Sequence, residues 1–277
     1  LLGIVVVFAI EYMDAGFRSL EQLQQMAYVP ALGLVPRLSM VNRGTKPEDF
    51  VLENPGSHYA ESIRSIRTSL LLSNVDDRPR SVMFTSSIPA EGKTATTVSV
   101  ARAAAKAGQR TIIIDCDLRK PSVDDSLGVP NNQGLVEVLS GQASLDDVIE
   151  IDMKSTLHYI TAGGQAPNPP DLLGSQAMSS LMDTLTRRYD LVVLDTPPVL
   201  PVSDALVMLR LVDKAIYLVR WGVTRREAVL AGIRQVIEAN GDLAGVVMTR
   251  VDVKKHQKYS YSDSYYYYRG YGSYHGR

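Results

Sequence analysis

The sequence offers almost no sulfur chemistry. One cysteine, Cys116, occurs in 277 residues, which excludes an internal disulfide and fits a reducing compartment. The histidines His58, His158, His256 and His275 are scattered without metal-ligand spacing, which argues against a histidine-built zinc centre. The net charge of −1 leaves no positive excess for general nucleic-acid binding, so nucleic acid is not expected as a partner. Long apolar runs are missing too, apart from residues 1–10 (LLGIVVVFAI). Ten helical residues span about 15 Å, half of the roughly 30 Å hydrocarbon core of a bilayer. The run lacks the basic start and small-residue cleavage site of a signal peptide. Read alone, it is either the end of a membrane helix emerging at Glu11 or a buried strand.

What is present is an alternating pattern. A short helix is expected around residues 20–26, followed by Pro30, Gly33 and Pro36. Residues 42–55 are polar, with Gly and two prolines, and read as a linker. Residues 57–72 show helical periodicity, with Ile63, Ile66, Leu70 and Leu71 on one face. From residue 81 onward, apolar strands are expected at 81–84, 111–114, 157–161, 191–194, 214–219 and 244–249. Helices are expected between them at 93–107, 135–139, 145–149, 175–188, 203–211 and 225–239. Strands apolar on both faces, alternating with helices, imply an α/β fold: a doubly wound, mainly parallel sheet covered on two sides.

The first of these strands runs into Ser87, Ile88, Pro89, Ala90, Glu91, Gly92, Lys93, Thr94 and Ala95. Its Glu-Gly-Lys-Thr is the core of a P-loop, placed between a strand and a helix as that motif requires. Successive backbone N–H groups at the helix start cradle phosphates, a lysine reaches the β- and γ-phosphates, and a threonine hydroxyl ligates Mg²⁺. Lys93 and Thr94 take those roles here, so ATP and Mg²⁺ are the expected cofactors. Ser87 stands where the usual pattern has its first glycine.

Two further strands end in carboxylates. Residues 112–114 lead to Asp115, Cys116, Asp117, Leu118 and Arg119, and residues 192–194 lead to Asp195 before Thr196 and Pro197. Ligands of open parallel sheets bind at that C-terminal edge, so loop and acids are expected to converge. Asp117 and Asp195 are candidate Mg²⁺ ligands, directly or through water. Asp115, two residues from Asp117 on an extended chain, can face the same way and accept a proton from an incoming hydroxyl.

The end of the chain is different in kind. Tyr259, Tyr261, Tyr265, Tyr266, Tyr267, Tyr268, Tyr271 and Tyr274 are eight of the fourteen tyrosines, spaced by Ser, Gly, Asp and Arg. Such a stretch buries too little apolar surface to fold alone and is expected to be a disordered, tyrosine-rich tail. It is a ready phosphoryl acceptor.

The three motifs and the tail resemble the bacterial tyrosine kinases, P-loop proteins unrelated in fold to eukaryotic protein kinases. Residues 87–94, 112–119 and 192–197 are similar to that family's Walker A, Walker A′ and Walker B motifs. Residues 167–173 (PNPPDLL) are similar to its Pro-Asn-Pro segment. Glu61, Arg64 and Arg67 resemble its Glu-x-x-Arg-x-x-Arg subunit-contact motif, although local ion pairs on a solvated helix face would explain the same spacing. Ala90 and Thr249 depart from the family, which often has a loop glycine and, in related P-loop proteins, an adenine-contacting asparagine at these places.

The resemblance implies an ATP-dependent tyrosine kinase that phosphorylates its own tail between subunits of a homo-oligomeric ring. It also implies a role in exopolysaccharide or capsule polymerisation and export, with partners in that machinery and a phosphotyrosine phosphatase. Residues 1–10 then read as the end of a truncated transmembrane helix and 11–55 as a juxtamembrane segment and linker. Residues 56–251 read as the kinase domain and 252–277 as the tail, at a bacterial inner membrane with the kinase in the cytoplasm. Two rivals share the fold: a MinD/ParA-type positioning ATPase and a nucleotide-dependent assembly adaptor without kinase activity. The first usually has a lysine where this chain has Ile88, and lacks a tyrosine tail.

Overall fold

A computed structural model of the chain describes residues 15–38, 44–74 and 78–258. The apolar run at 1–10 and the tyrosines from Tyr259 to Tyr274 lie outside the described residues.

Eight strands form one sheet: β1 (Ala31–Pro36), β2 (Ser81–Ser86), β3 (Thr111–Asp115), β4 (Glu150–Ile151), β5 (His158–Ile160), β6 (Leu191–Asp195), β7 (Lys214–Arg220) and β8 (Leu243–Val251). Their spatial order is β1-β8-β7-β2-β6-β3-β5-β4. Every pairing is parallel except β4 with β5. The central strands β2, β3 and β6 are buried along their whole length, which is why they read as continuous apolar runs.

Side chains alternate between two cores, as the strand period of two dictates. Met83, Ile112, Ile114, Val192 and Leu194 pack on one face with Leu181 and Leu185 of the helix Gln176–Arg188. Val82, Phe84, Ile113 and Val193 pack on the other with Val98, Ala101 and Ala104 of the helix Lys93–Lys106. Ile63 and Ile66 of the helix His58–Leu72 close that second core, and Ser57 caps this helix by accepting from Ala60 N.

The N-terminal region holds more structure than its composition suggests. Ala31–Pro36 is an edge strand paired with β8, with irregular register at two places. A strand ending in proline is tolerated at an edge, where a donor is dispensable. Within the expected linker, Pro47–Glu53 is a helix starting with proline at its first position. Arg102, fully buried, holds it through Glu48 O (2.8 Å) and Asp49 Oδ1 (2.7 Å), while its other nitrogens donate to Asp152 at 2.9 and 3.2 Å. Expected helix 203–211 divides into Asp204–Met208 and a 3₁₀ turn at Leu209–Leu211.

Candidate nucleotide site

Because β2, β6 and β3 are neighbours, their C-terminal ends open side by side. Phe84 is in register with Asp195, and Asp195 with Asp115. The loop after β2 therefore faces both acidic strand ends. Gly92 caps the following helix at φ 81°, a conformation glycine adopts without steric cost. Ala90 also has a left-handed φ of 67°, at the place where the resembling family often has glycine.

Lys93 Nζ donates to Asp195 Oδ1 at 2.9 Å and lies 3.8 Å from Asp117 Oδ2. Burial pushes the lysine pKa down, but Asp195, Asp117 and Asp115 outweigh it and hold the amine above its ordinary value. Thr94 Oγ1 donates to Asp195 Oδ2 at 2.6 Å and lies 2.7 Å from Ser122 Oγ. The loop's cation and hydroxyl thus meet on one carboxylate.

Asp115 is fully buried. Its Oδ1 accepts from Asp117 N at 3.0 Å, and its Oδ2 from Ser122 N and Val123 N at 2.9 Å each. It folds the segment after β3 back across the site. Burial, reinforced by the charge of Asp195, pushes its pKa up to about 7. Asp117 is anchored by Lys120 N at 3.1 Å; burial raises its pKa while Lys93 opposes the rise. Arg119, two residues on, makes a bidentate pair with buried Asp204 at 2.7 and 3.0 Å.

Glu91 has a role that its motif position does not announce. Its carboxylate is buried and accepts four hydrogen bonds: Ser87 N (2.7 Å) and Ile88 N (3.0 Å) on Oε2, Thr224 Oγ1 (2.5 Å) and Arg220 N (3.2 Å) on Oε1. Burial raises its pKa against these donors. The loop is thereby tied to the end of β7. Thr249 Oγ1 donates to Glu91 O at 2.5 Å, so this threonine braces the loop backbone. Neither Thr224 nor Ser122 carried a sequence signal, since their partners are distant in the chain.

The chain preceding the helix Leu20–Ala27 docks on the same β7 end. Gly222 N donates to Phe17 O (2.9 Å), Arg226 N to Ala15 O (2.8 Å) and Trp221 Nε1 to Arg18 O (3.0 Å). A Cβ on Gly16 would lie 2.7 Å from Gly222 C, so this approach requires glycine. Beside the loop, between the ends of β1, β7 and β8, opens a cleft of about 520 Å³ bordered by Gly92, Ala95 and Thr96.

The expected subunit-contact residues stand apart from this site. Arg64 pairs with Glu61 and donates to Pro55 O at 2.8 Å, and Arg67 donates to Ala103 O at 3.2 Å. The residues 167–173 form the helix Pro169–Leu173, with Asn168 bonded to Asp171.

A phosphate loop between β2 and its helix, with a lysine and acidic strand ends converging on it, defines a P-loop nucleotide-binding α/β protein. A family model described as an AAA domain matches residues 90–243. The chain is 33% identical over 222 residues to the tyrosine-protein kinase YwqD of Bacillus subtilis, covering 79% of this chain and 94% of that one. It is 33% identical over 212 residues to the tyrosine-protein kinase Etk of Escherichia coli, covering 76% of this chain and 29% of Etk. The solved kinase domain of Etk superposes with a TM-score of 0.80 at 30% identity, over 85% of this chain and 95% of that domain. MinD from Pyrococcus horikoshii, 20% identical with a TM-score of 0.55, shares the fold alone. The chain belongs to the bacterial tyrosine-protein kinases.

Proposed function

We propose that this kinase transfers the γ-phosphoryl group of ATP to tyrosines of its own C-terminal tail. The observation that carries the reading is the convergence of Lys93 and Thr94 on Asp195 at 2.9 and 2.6 Å, at the edge where β3 delivers Asp115 and Asp117. The donor set suits a hard cation: Thr94, Asp117 and Asp195 offer oxygens, and among the described residues no cluster of three or more His, Cys, Asp or Glu forms an all-protein cage. Mg²⁺ characteristically keeps several waters and a few protein oxygens. When bound, it neutralises charge on the transferring group.

The chain's own residues do the rest. Lys93 and the loop amides from Ala90 to Ala95 hold the phosphates. Glu91 fixes the start of the loop by accepting from Ser87 N and Ile88 N. A tyrosine oxygen attacks the γ-phosphorus, the new O–P bond forms as the bond to the ADP oxygen breaks, and ADP leaves with that electron pair. Asp115 takes the phenolic proton. A tyrosine pKa near ~10 makes such a base necessary at neutral pH. Asp115 is shielded by the residues after Asp117, so the segment 117–122 has to shift for a hydroxyl to reach it. The nucleoside has room in the cleft beside Gly92, Ala95 and Thr96.

The acceptor tyrosines belong to a neighbouring subunit of a ring, with Glu61, Arg64 and Arg67 at the contact. The kinase works at the bacterial inner membrane and serves capsule or exopolysaccharide assembly together with a resetting phosphotyrosine phosphatase. The folded unit begins before residue 56, since β1 and the helix Pro47–Glu53 share its sheet and core. Among the described residues no helix is long and apolar enough to cross a membrane. A relative named as a putative tyrosine-protein kinase in the cps region of Klebsiella pneumoniae supports the capsule context. Incubation with Mg²⁺-ATP and anti-phosphotyrosine detection tests the activity. Brisk ATP hydrolysis with no phosphotyrosine would favour the positioning-ATPase reading.

A further inference from the structure

The cleft beside the phosphate loop is crowded with unneutralised positive charge. Arg37, Arg220 and Arg250 line it, from the ends of β1, β7 and β8. Among the described residues none of the three forms an ion pair with a carboxylate. Burial, with added repulsion from Arg220 and Arg37, depresses the pKa of Arg250. Asp252, the one acidic residue among the described residues lining the cleft, is engaged by Lys255 N at 3.1 Å as the cap of the helix Val253–His256.

The backbone at Arg250 is itself unusual. Its φ is 53°, in the left-handed region that a long side chain rarely occupies. The result is that its guanidinium stem lies across Gly92: a Cβ built on that glycine would sit 3.4 Å from Arg250 Nε. Strained backbone that directs a cation over a phosphate loop points to a ligand with negative charge. Trp221 borders the cleft with its indole largely buried and covered by Arg18, whose guanidinium carbon lies 5.5 Å from the ring centroid.

We propose that this arginine-lined cleft binds a phosphotyrosine of the chain's own tail, in competition with nucleotide. The planar guanidinium fork donates paired hydrogen bonds to two oxygens of a phosphomonoester, which carries about −1.5 to −2 charges at neutral pH. The tail is tethered at the cleft's rim. Lys255 lines the cleft, and Tyr259 and Tyr261 follow Lys258, the end of that helical turn, by one and three residues, within a reach of roughly 10 Å. Gly92, Ala95 and Thr96 border the same space, so a docked phosphotyrosine and a bound nucleoside exclude one another. Tail phosphorylation then restrains further nucleotide binding by the same chain. The proposal rests on the kinase reading only for the source of the phosphate.

The test uses the full chain, dephosphorylated, and synthetic peptides spanning residues 256–264 with Tyr259 and Tyr261 either free or phosphorylated. Binding is read by fluorescence anisotropy. The phosphopeptide is expected to bind at least ten-fold more tightly than the free peptide. Arg37→Gln with Arg250→Gln should weaken it at least ten-fold, and ADP should displace it. Each single substitution serves if the double variant fails to fold. Equal binding of the two peptides, insensitivity to both arginines, or retention of the phosphopeptide at saturating ADP would overturn the proposal. Displacement by inorganic phosphate at the same concentration as phenyl phosphate would overturn the assignment of a phosphotyrosine. Because the peptides are phosphorylated chemically, none of these outcomes depends on activity. Absence of tail labelling by Mg²⁺-ATP sinks the kinase reading alone.

Discussion

Lys93 Nζ sits 2.9 Å from Asp195 Oδ1, and both side chains are withdrawn from solvent. The pair joins the phosphate loop to the end of β6, so one contact bears on stability and on chemistry. Asp195→Ala leaves the lysine short of a partner, although Asp117 remains 3.8 Å away. The expected loss is about 3 kcal/mol, the lower end for breaking a buried pair, measured by urea denaturation without nucleotide. Phosphoryl transfer should fall about 10²–10³-fold, as for loss of a preorganised electrostatic group.

With Asp115 as the proposed base, the reaction should carry a pH signature. The Asp115 pKa is raised to about 7, and a base works only when ionised. Tail labelling by the wild type should rise with pH as Asp115 ionises, while residual labelling by Asp115→Asn stays flat. The stability effect has the opposite sign. A carboxyl whose folded pKa exceeds its unfolded value favours folding below the unfolded pKa, near ~3.9, and that advantage is lost as pH rises through about 7. The stability of the wild type relative to Asp115→Asn should decline across that window, as denaturation at several pH values will report.

Glu91 is expected to control the loop without touching the reacting atoms. Glu91→Ala strips the acceptor from Ser87 N, Ile88 N, Arg220 N and Thr224 Oγ1. A cost of about 1–3 kcal/mol follows from unsatisfied buried donors. Nucleotide affinity, read by calorimetry, should drop at least ten-fold, with partial recovery in Glu91→Gln. Unchanged affinity would show that the loop holds its shape without this carboxylate.

The route of transfer is separable by mixing. Lys93→Met supplies an intact tail without activity, and a variant truncated after Lys258 supplies activity without acceptors. Labelling of the Lys93→Met tail in the mixture is the expected result for transfer between subunits. Ala substitution of Glu61 and Arg64 should reduce both that labelling and the mass in solution, with melting temperature little changed, since a surface i,i+3 pair contributes only ~0.2–0.5 kcal/mol.

The parts of the site built on local pattern were legible in the sequence. The buried strands ending at Asp115 and Asp195 announce themselves as apolar runs, and Gly92-Lys93-Thr94 sits between a strand and a helix as its chemistry requires. The edge strand Ala31–Pro36 was hidden because Gly33 and Pro36 weaken any strand signal, and only pairing with β8 reveals it. Glu91 was legible as a motif position but not as a clamp, because its partners Arg220 and Thr224 come from the far side of the fold. The arginines of the cleft come from three separate strand ends, so no spacing links them. Pairwise geometry across the sheet supplies what periodicity along the chain does not.

The central claim is that Lys93 and its acidic partners deliver a phosphoryl group to the tail. Mass spectrometry of the purified chain after incubation with Mg²⁺-ATP, with Lys93→Met alongside, tests it most directly. Phosphate is expected on several tyrosines between Tyr259 and Tyr274 in the wild type and on none in the variant. Equal labelling of both, or ATP consumption with every tail tyrosine unmodified, would contradict it.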